Sequence, residues 1–196
     1  MPRLRRTAAV MSAASAFAAL TTVVGPAGPA WARDPLPQRT DQAFQQDCLK
    51  THNAYRARHG APPLTVDPQL VAYAASRADE ITRFEGLNEG HRGLEPGHGE
   101  NLHWSGSSVA GRMASCKDAV TRWYDGGRTY DYAKPGFSGE TGFFTQVVWK
   151  STTRIGCARA AGRGPQWYET YIVCNYTPPG NFSGRFKENV LPPRSR

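Results

Sequence analysis

Three histidines and a glutamate, side chains that bind metal ions or transfer protons, lie within one short stretch of the chain. His98 and His103 flank Glu100 in the run His-Gly-Glu-Asn-Leu-His, and His91 precedes Glu100 by nine residues. Neutral imidazoles bind zinc-like ions, and a carboxylate adds charge or positions a water molecule. The stretch could hold a divalent metal ion, although histidines clustered in a glycine-rich loop are more often simply solvated.

Cysteine chemistry is limited to four residues, Cys48, Cys116, Cys157 and Cys174. They form no C-x-x-C pair of the zinc-ribbon or redox kind, and they fit two disulfides if the protein is exported. No serine or free cysteine lies in a recognisable nucleophile motif. The sequence therefore does not favour covalent catalysis.

Residues 1–32 predict a secretory signal peptide. Three arginines precede an apolar stretch over residues 8–24, and the segment ends in Ala30-Trp31-Ala32, which is the order of regions in a cleaved leader. The apolar stretch is slightly shorter than the ~20 residues of a membrane span, and no later segment is apolar for long enough to cross a bilayer. We expect a secreted, extracellular product with no transmembrane segment and with a flexible N-terminal segment at residues 33–43.

The composition of the 196 residues, 39% hydrophobic and 11% aromatic, predicts one globular domain and excludes wholesale disorder. Removing the three arginines of the leader lowers the formal net charge from +8 to +5. The remaining cations are scattered rather than clustered. This argues against nucleic acid as a partner and gives only a weak signal for an anionic cell surface or cell wall.

Local patterns predict three helices and three strands. Phe44 and the apolar residues spaced at helical intervals after it predict a first helix over residues 41–59. Asp67, followed by proline, predicts the N-cap of a second helix, and Ser115 begins a capping box for a third that ends at Gly126. Aromatic and β-branched residues predict strands, which we place at residues 143–149, 154–158 and 167–176. Residues 86–99, which show no hydrophobic period, predict a loop.

These elements also predict how the cysteines pair. Antiparallel pairing of the last two strands would bring Cys157 and Cys174 together. Cys48 and Cys116 lie on the apolar faces of the first and third helices, and a second bridge would tie these helices to each other.

Four motifs in a fixed order strongly resemble the CAP superfamily, which comprises cysteine-rich secretory proteins, antigen 5 and pathogenesis-related proteins. They are His52-Asn53-Ala54-Tyr55-Arg56, Gly99-Glu100-Asn101-Leu102, Phe144-Thr145-Gln146-Val147-Val148-Trp149 and Cys174-Asn175-Tyr176-Thr177-Pro178. The resemblance implies an α+β fold, an α-β-α sandwich in which helices flank a small, largely antiparallel sheet, with the CAP domain at residues 44–193.

Many CAP proteins carry two histidines and two acidic residues in a central cleft, but only part of this set is present. By resemblance, Glu100 matches the first acid. His91 matches the first histidine, and His98 is the alternative match. The second acid is replaced by Gly126, with Asp125 one residue earlier, and the second histidine by Phe143. We therefore predict a non-enzymatic protein that requires no cofactor.

The alternative is a divalent-metal-dependent CAP protein with hydrolase-like activity, in which zinc or another ion binds His91 and Glu100. Asp125 could join them only if its helix has already unwound, because a one-residue shift turns a side chain by roughly 100°. His98 and His103 are the further imidazoles available.

A lipid is the ligand that the remaining motif favours. Tyr130, Tyr132 and Phe137 have the spacing of the family's caveolin-binding-type loop, which in some CAP proteins is associated with sterol binding. Aromatic faces on such a loop could cover a sterol or fatty acid. The alternative is that these rings only pin the loop to the sheet.

Overall fold

The computed structural model describes residues 32–194 and contains a four-stranded sheet. Its strands are β1 (Thr65–Val66), β2 (Gly99–Ser107), β3 (Arg154–Arg163) and β4 (Tyr168–Thr177). The strand order is β1-β3-β4-β2, in which only the short β1 runs parallel to its neighbour. The sheet is therefore largely antiparallel, as predicted.

Within residues 32–194, five helices accompany the sheet. They are α1 (Gln42–Arg58), α2 (Pro68–Ile81), α3 (Cys116–Asp125), α4 (Gly142–Val148) and α5 (Phe186–Asn189), with a 3-10 turn at Gly126–Thr129. The predicted caps form: Asp67 accepts from the backbone N–H of Gln69, and Ser115 and Asp118 make a reciprocal capping box. In the described residues, no helix is long and apolar enough to cross a membrane.

Two apolar clusters lie on opposite faces of the sheet and define an α-β-α sandwich. On one face, α2 packs Ala74, Ala78 and Ile81 against β3 and β4. On the other face, α1, α3 and α4 bury a larger cluster that includes Trp123 and Trp149. The fold class predicted from the resemblance is confirmed.

The prediction of a strand at residues 143–149 is wrong. The segment forms α4, because Phe144, Val147 and Val148 are buried at helical spacing and pack between α1 and α3. The predicted loop, in turn, ends where β2 begins at Gly99. This strand escaped prediction because its first five residues are all buried and show no alternation.

Both predicted disulfides are present. Cys157 and Cys174 are direct partners in the β3–β4 register, and Cys48–Cys116 joins α1 to α3. All four sulfur atoms lie within 4.8 Å of one another. The two bridges thus lie side by side in the larger cluster.

The segment that we expected to be flexible makes specific contacts with the sheet. Leu36 is buried, and Gln38 forms a β-bridge with Ala160. Arg33 reaches the buried carboxylate of Glu169 at 2.5 Å. The predicted leader lies outside the described residues except for Ala32.

Candidate functional site

The polar centre of the candidate site is a buried ion pair between Glu100 on β2 and Arg77 on α2. The Arg77 Nε and one terminal nitrogen donate to the two carboxylate oxygens at 2.8 and 3.1 Å. Asn175, opposite Glu100 in the β2–β4 register, donates a further hydrogen bond at 3.2 Å. Both charged side chains are almost completely excluded from solvent, so the guanidinium supplies the positive charge that a buried carboxylate needs.

His91 completes this centre from the loop before β2. Its Nδ1 lies 3.1 Å from a Glu100 carboxylate oxygen, while the side chain remains 48% exposed. Burial alone would raise the pKa of Glu100, but the hydrogen bonds from His91 and Arg77 outweigh burial and hold that pKa below its ordinary value. Glu100 is therefore a charged, fully engaged carboxylate at neutral pH.

Phe143, which the resemblance matches to the family's second histidine, lies at the edge of the same centre. Its ring lies 6.1 Å from the ring of His91 and 6.3 Å from that of Trp123. A cavity of about 200 Å³ remains beside it and is also lined by Gly126 and Glu140. The phenyl ring contributes neither a metal ligand nor a proton.

The second acid position also lacks a carboxylate. A Cβ added at Gly126 would lie 2.9 Å from the carbonyl oxygen of Glu140, so a larger residue requires movement of that backbone. Asp125 is exposed, pairs with Arg128 at 3.0 Å and lines a different cleft. The structure does not bring Asp125 to Glu100, because α3 continues through Asp125 and does not unwind before it.

The two remaining histidines also lie apart from Glu100 and His91. His98 stacks on Tyr73 with ring centroids 4.5 Å apart. His103 is buried on β2, where burial, followed by the charge of Arg122, lowers its pKa to about 4. Neither supplies the third ligand that the metal hypothesis requires.

These residues do not fit a divalent metal centre. Both Glu100 oxygens are bound to Arg77, whose positive charge repels a cation. In the described part of the chain, the one group of three or more potential ligands is the four disulfide-bonded cysteines.

Sequence reasoning missed Arg77, although a signal was present. Leu70, Ala74, Ala78 and Ile81 form the buried stripe of α2, and Arg77 falls within that stripe. A cation on an apolar helical face indicates a buried acidic partner. Sequence alone does not identify the partner, because Glu100 lies 23 positions away on another element.

The aromatic side chains of the loop at residues 130–137 differ in their exposure. Tyr130 is only 8% exposed, and its ring contacts those of Tyr132 and Phe144 at 5.0 and 5.6 Å. Phe137 is 65% exposed, and its ring lies against Gly142, the first residue of α4. Tyr130 and Tyr132 therefore pack the loop against α4 rather than against the sheet, while Phe137 faces solvent.

A second exposed phenylalanine lies near the same point. Phe182 is 53% exposed, and the preceding residue, Asn181, donates to the carbonyl of Gly142 at 2.9 Å. Phe137 and Phe182 thus belong to two loops that meet at the start of α4. We call this pair the phenyl ridge.

The disulfide-bonded α-β-α sandwich, with the Gly99-Glu100-Asn101-Leu102 motif on its edge strand β2, has the features of a CAP domain. Comparisons with known proteins agree with this class. Residues 49–176 match the family described as "CAP: Cysteine-rich secretory protein family". The chain belongs to the CAP family.

Relatives of this chain include animal, plant and fungal proteins. It is 34% identical over 153 residues to the human Golgi-associated plant pathogenesis-related protein 1, covering 77% of this chain and 94% of that protein. It is 38% identical over 145 residues to the basic form of pathogenesis-related protein 1 from Nicotiana tabacum, covering 74% and 75%. Secreted protein RBT4 of Candida albicans is 39% identical over 166 residues, but the match spans 79% of this chain and only 42% of RBT4.

Solved structures support the fold. The structure of NaASP2 with Zn²⁺ superposes with a TM-score of 0.59 at 22% identity, covering 79% of this chain and 88% of that one. The structure of BmVAL-1 gives 0.57 at 19% identity, covering 74% and 81%. At these identities, the likeness extends to the fold alone.

Proposed function

We propose that this chain is an extracellular, non-catalytic CAP protein that binds a sterol or fatty acid at the phenyl ridge. The observation that carries the proposal is Phe137, a large apolar side chain left 65% exposed by a loop that Tyr130 and Tyr132 anchor. An anchored loop presents such a side chain at little further cost in conformational entropy.

The exposed apolar surface of the phenyl ridge favours a lipid over a polar ligand. Phe137 and Phe182 are the two most exposed aromatic residues among the described large hydrophobics. Phe137 packs against Gly142, and Phe182 follows Asn181, whose side chain donates to the Gly142 carbonyl. Exposed apolar patches of this kind mark lipid or protein contacts. Two disulfides fit a protein that functions outside the cell.

The non-catalytic part of the proposal rests on the Glu100 centre. Arg77 occupies both carboxylate oxygens, and Phe143 replaces the second imidazole. A hydrolase based on histidine and glutamate needs a positioned base with an acidic or metal partner. We expect calorimetric titration of zinc into the protein to give no binding heat at neutral pH; zinc-dependent ester hydrolysis that Glu100→Gln abolishes would contradict this expectation.

The lipid proposal is tested with fluorescent sterol and fatty-acid analogues and a matched pair of variants. Phe137→Ser should weaken binding by about ten- to one-hundred-fold, since burying one phenyl ring is worth about 1.5–3 kcal/mol. Val109→Ser is the control, because Val109 is 57% exposed and lies outside both loops of the phenyl ridge. Equal affinities for Phe137→Ser and the unsubstituted protein would refute the assignment of the ridge.

A further inference from the structure

A large open cleft lies between β2 and α3. It shares His103 and Arg122 with the small cavity beside Phe143, but its lining includes neither Glu100 nor the phenyl ridge. Its volume is about 1150 Å³. Ordinary ligand pockets measure roughly 300–1,000 Å³, so the cleft is large enough for a chain of several sugar units. Strand β2 and the loop after it form one wall, and the outer face of α3 forms the other. We call it the β2–α3 cleft.

Positive charge dominates this cleft. Arg112, Lys117 and Arg122 all line it and are exposed. None of them has a carboxylate within 4.0 Å in the part of the chain that the structure describes. Three cations left without ion pairs in a concave wall attract an anionic ligand.

The acidic residues of the cleft offset these cations only in part. Asp118 keeps its negative charge, because its partner in the capping box of α3, Ser115, is neutral, whereas Asp125 pairs with Arg128, which lies outside the lining. His103 adds no charge at neutral pH, because burial lowers its pKa to about 4. The cleft is therefore positive, and its buried end is uncharged.

A flat aromatic surface lies among these charges. The indole of Trp167 packs over Gly106 so closely that a Cβ on that glycine would be 2.9 Å from the Trp167 Cγ. The indole remains half-buried, with part of its surface in the cleft. The absence of a side chain at Gly106 thus lets the indole lie directly against the strand.

Hydroxyl groups supply the remaining polar contacts. Ser105, Ser107 and Ser108 line one wall and Thr121 the other. Pyranose rings offer hydroxyls that donate and accept hydrogen bonds, and a C–H face that packs on an aromatic ring. Hydroxyl side chains are matched to such a ligand, because each can donate or accept.

We propose that the β2–α3 cleft binds an acidic glycan, a chain of pyranose units carrying carboxylate or phosphate groups. Trp167 would pack against one sugar ring, and Arg112, Lys117 and Arg122 would pair with the acidic groups. A single indole favours this ligand over single-stranded nucleic acid, which is usually bound on several successive aromatic platforms. The hydroxyl-rich walls favour it over an acyl chain.

Binding is measured by calorimetry with a hexamer of α-1,4-linked galacturonate as the probe. We expect binding that weakens between about 0.05 M and about 0.5 M salt, because exposed charges are screened. The combined Arg112→Gln, Lys117→Gln and Arg122→Gln substitutions should reduce affinity by at least about tenfold, since hydrogen bonds to charged groups are the strong ones. The matched control is Lys50→Gln, Lys150→Gln and Lys187→Gln, which removes the same charge from exposed positions outside the cleft.

Further probes distinguish the ligand class and the source of the acid. A neutral hexamer of α-1,4-linked glucose should bind at least about tenfold more weakly. A glycerol phosphate polymer tests whether phosphate groups can replace carboxylate groups in the ligand. Binding of either acidic polymer supports the proposal that the cleft recognises the acidic groups. Tighter binding of a six-residue oligothymidylate, equal binding of the neutral glucan, or an equal loss in both triple variants would overturn the proposal.

Trp167→Ala tests the aromatic contact, and its melting temperature is checked first because the indole packs on Gly106. The exposed charge variants keep the proposal testable if this variant unfolds. Phe137→Ser should leave galacturonate binding unchanged, so the failure of one site is distinguishable from the failure of the other.

Discussion

Replacing Arg77 with methionine should convert the Glu100 centre from a stabilising ion pair into a buried, unpaired charge. Methionine keeps most of the aliphatic volume of arginine but none of its donors. Glu100 would retain only the hydrogen bonds from His91 and Asn175. The variant isolates the contribution of the guanidinium without opening a large cavity.

The size of the effect follows from the contacts. Arg77 donates two hydrogen bonds to Glu100, at 2.8 and 3.1 Å, one to the carbonyl of Arg92 at 2.9 Å, and one to the exposed carboxylate of Glu80. Removing one partner of a buried ion pair costs about 3–5 kcal/mol, mostly because the other charge is left desolvated. We expect the free energy of unfolding at pH 7.5 to fall by about that amount.

The pH dependence provides a sharper test. In the native protein, the pKa of Glu100 is lowered, so its contribution to stability is present above the unfolded pKa and is lost as the pH falls through the folded pKa. Without Arg77, desolvation should dominate and raise that pKa, so the variant should recover stability as Glu100 is protonated. The difference between the two proteins should therefore shrink between pH 7.5 and pH 4.5.

Urea denaturation at both pH values measures these differences, and the double variant Arg77→Met with Glu100→Gln is the control. A neutral amide removes the unpaired charge, so this double variant should be more stable at pH 7.5 than Arg77→Met alone. A pH-independent difference, or a double variant no more stable than the single one, would refute the assignment of a charged Glu100 held by Arg77.

Two further predictions concern stability. Burial, with a contribution from the charge of Arg56, lowers the pKa of His52 to about 4. In the unfolded chain, His52 takes up a proton near pH 6.5. The contribution of His52 to the free energy of unfolding should therefore fall by up to about 3 kcal/mol as the pH drops from 6.5 to 4. Denaturation curves at these pH values should show a shallower loss for His52→Gln. Gly156→Ala should destabilise by about 1–3 kcal/mol, because a Cβ there would overlap the backbone of Leu70 at the first turn of α2; an unchanged melting temperature would contradict this close approach.

Local signals predicted the parts of the fold that local physics determines. The caps at Asp67 and Ser115 place the starts of α2 and α3, because each side chain bonds the first free backbone N–H groups of its own helix. The β3–β4 hairpin was predictable in the same way, and with it the Cys157–Cys174 bridge. These interactions join residues close in sequence or in one hairpin.

Tertiary packing determined the parts that were missed. Residues 143–149 have the composition of a strand, yet α4 buries Phe144, Val147 and Val148 together on a helical face. The amide of Gln146 is also turned inward, where its oxygen accepts from the backbone N–H of Gly180 at 2.8 Å. Intrinsic preference yields to burial in such a segment, because the side chains must fill a space set by other elements.

The candidate site shows the same division. Spacing and resemblance identified His91 and Glu100, which the structure brings within hydrogen-bond distance. The role of Glu100 nevertheless depends on Arg77, a residue that no motif marks. A carboxylate in a family motif therefore indicates a position in the fold, and the cation beside the carboxylate decides its chemistry.

That cation also bears on where ligands can bind. A buried carboxylate requires a positive charge, and a guanidinium on α2 supplies one that is covalently fixed and saturates both oxygens. Once this charge is satisfied internally, the Glu100 centre has little remaining capacity for an external ion. Among the described residues, exposed side chains without such a partner include Phe137 at the phenyl ridge and Arg112, Lys117 and Arg122 in the β2–α3 cleft. Their physical chemistry directs the search for ligands to these two surfaces.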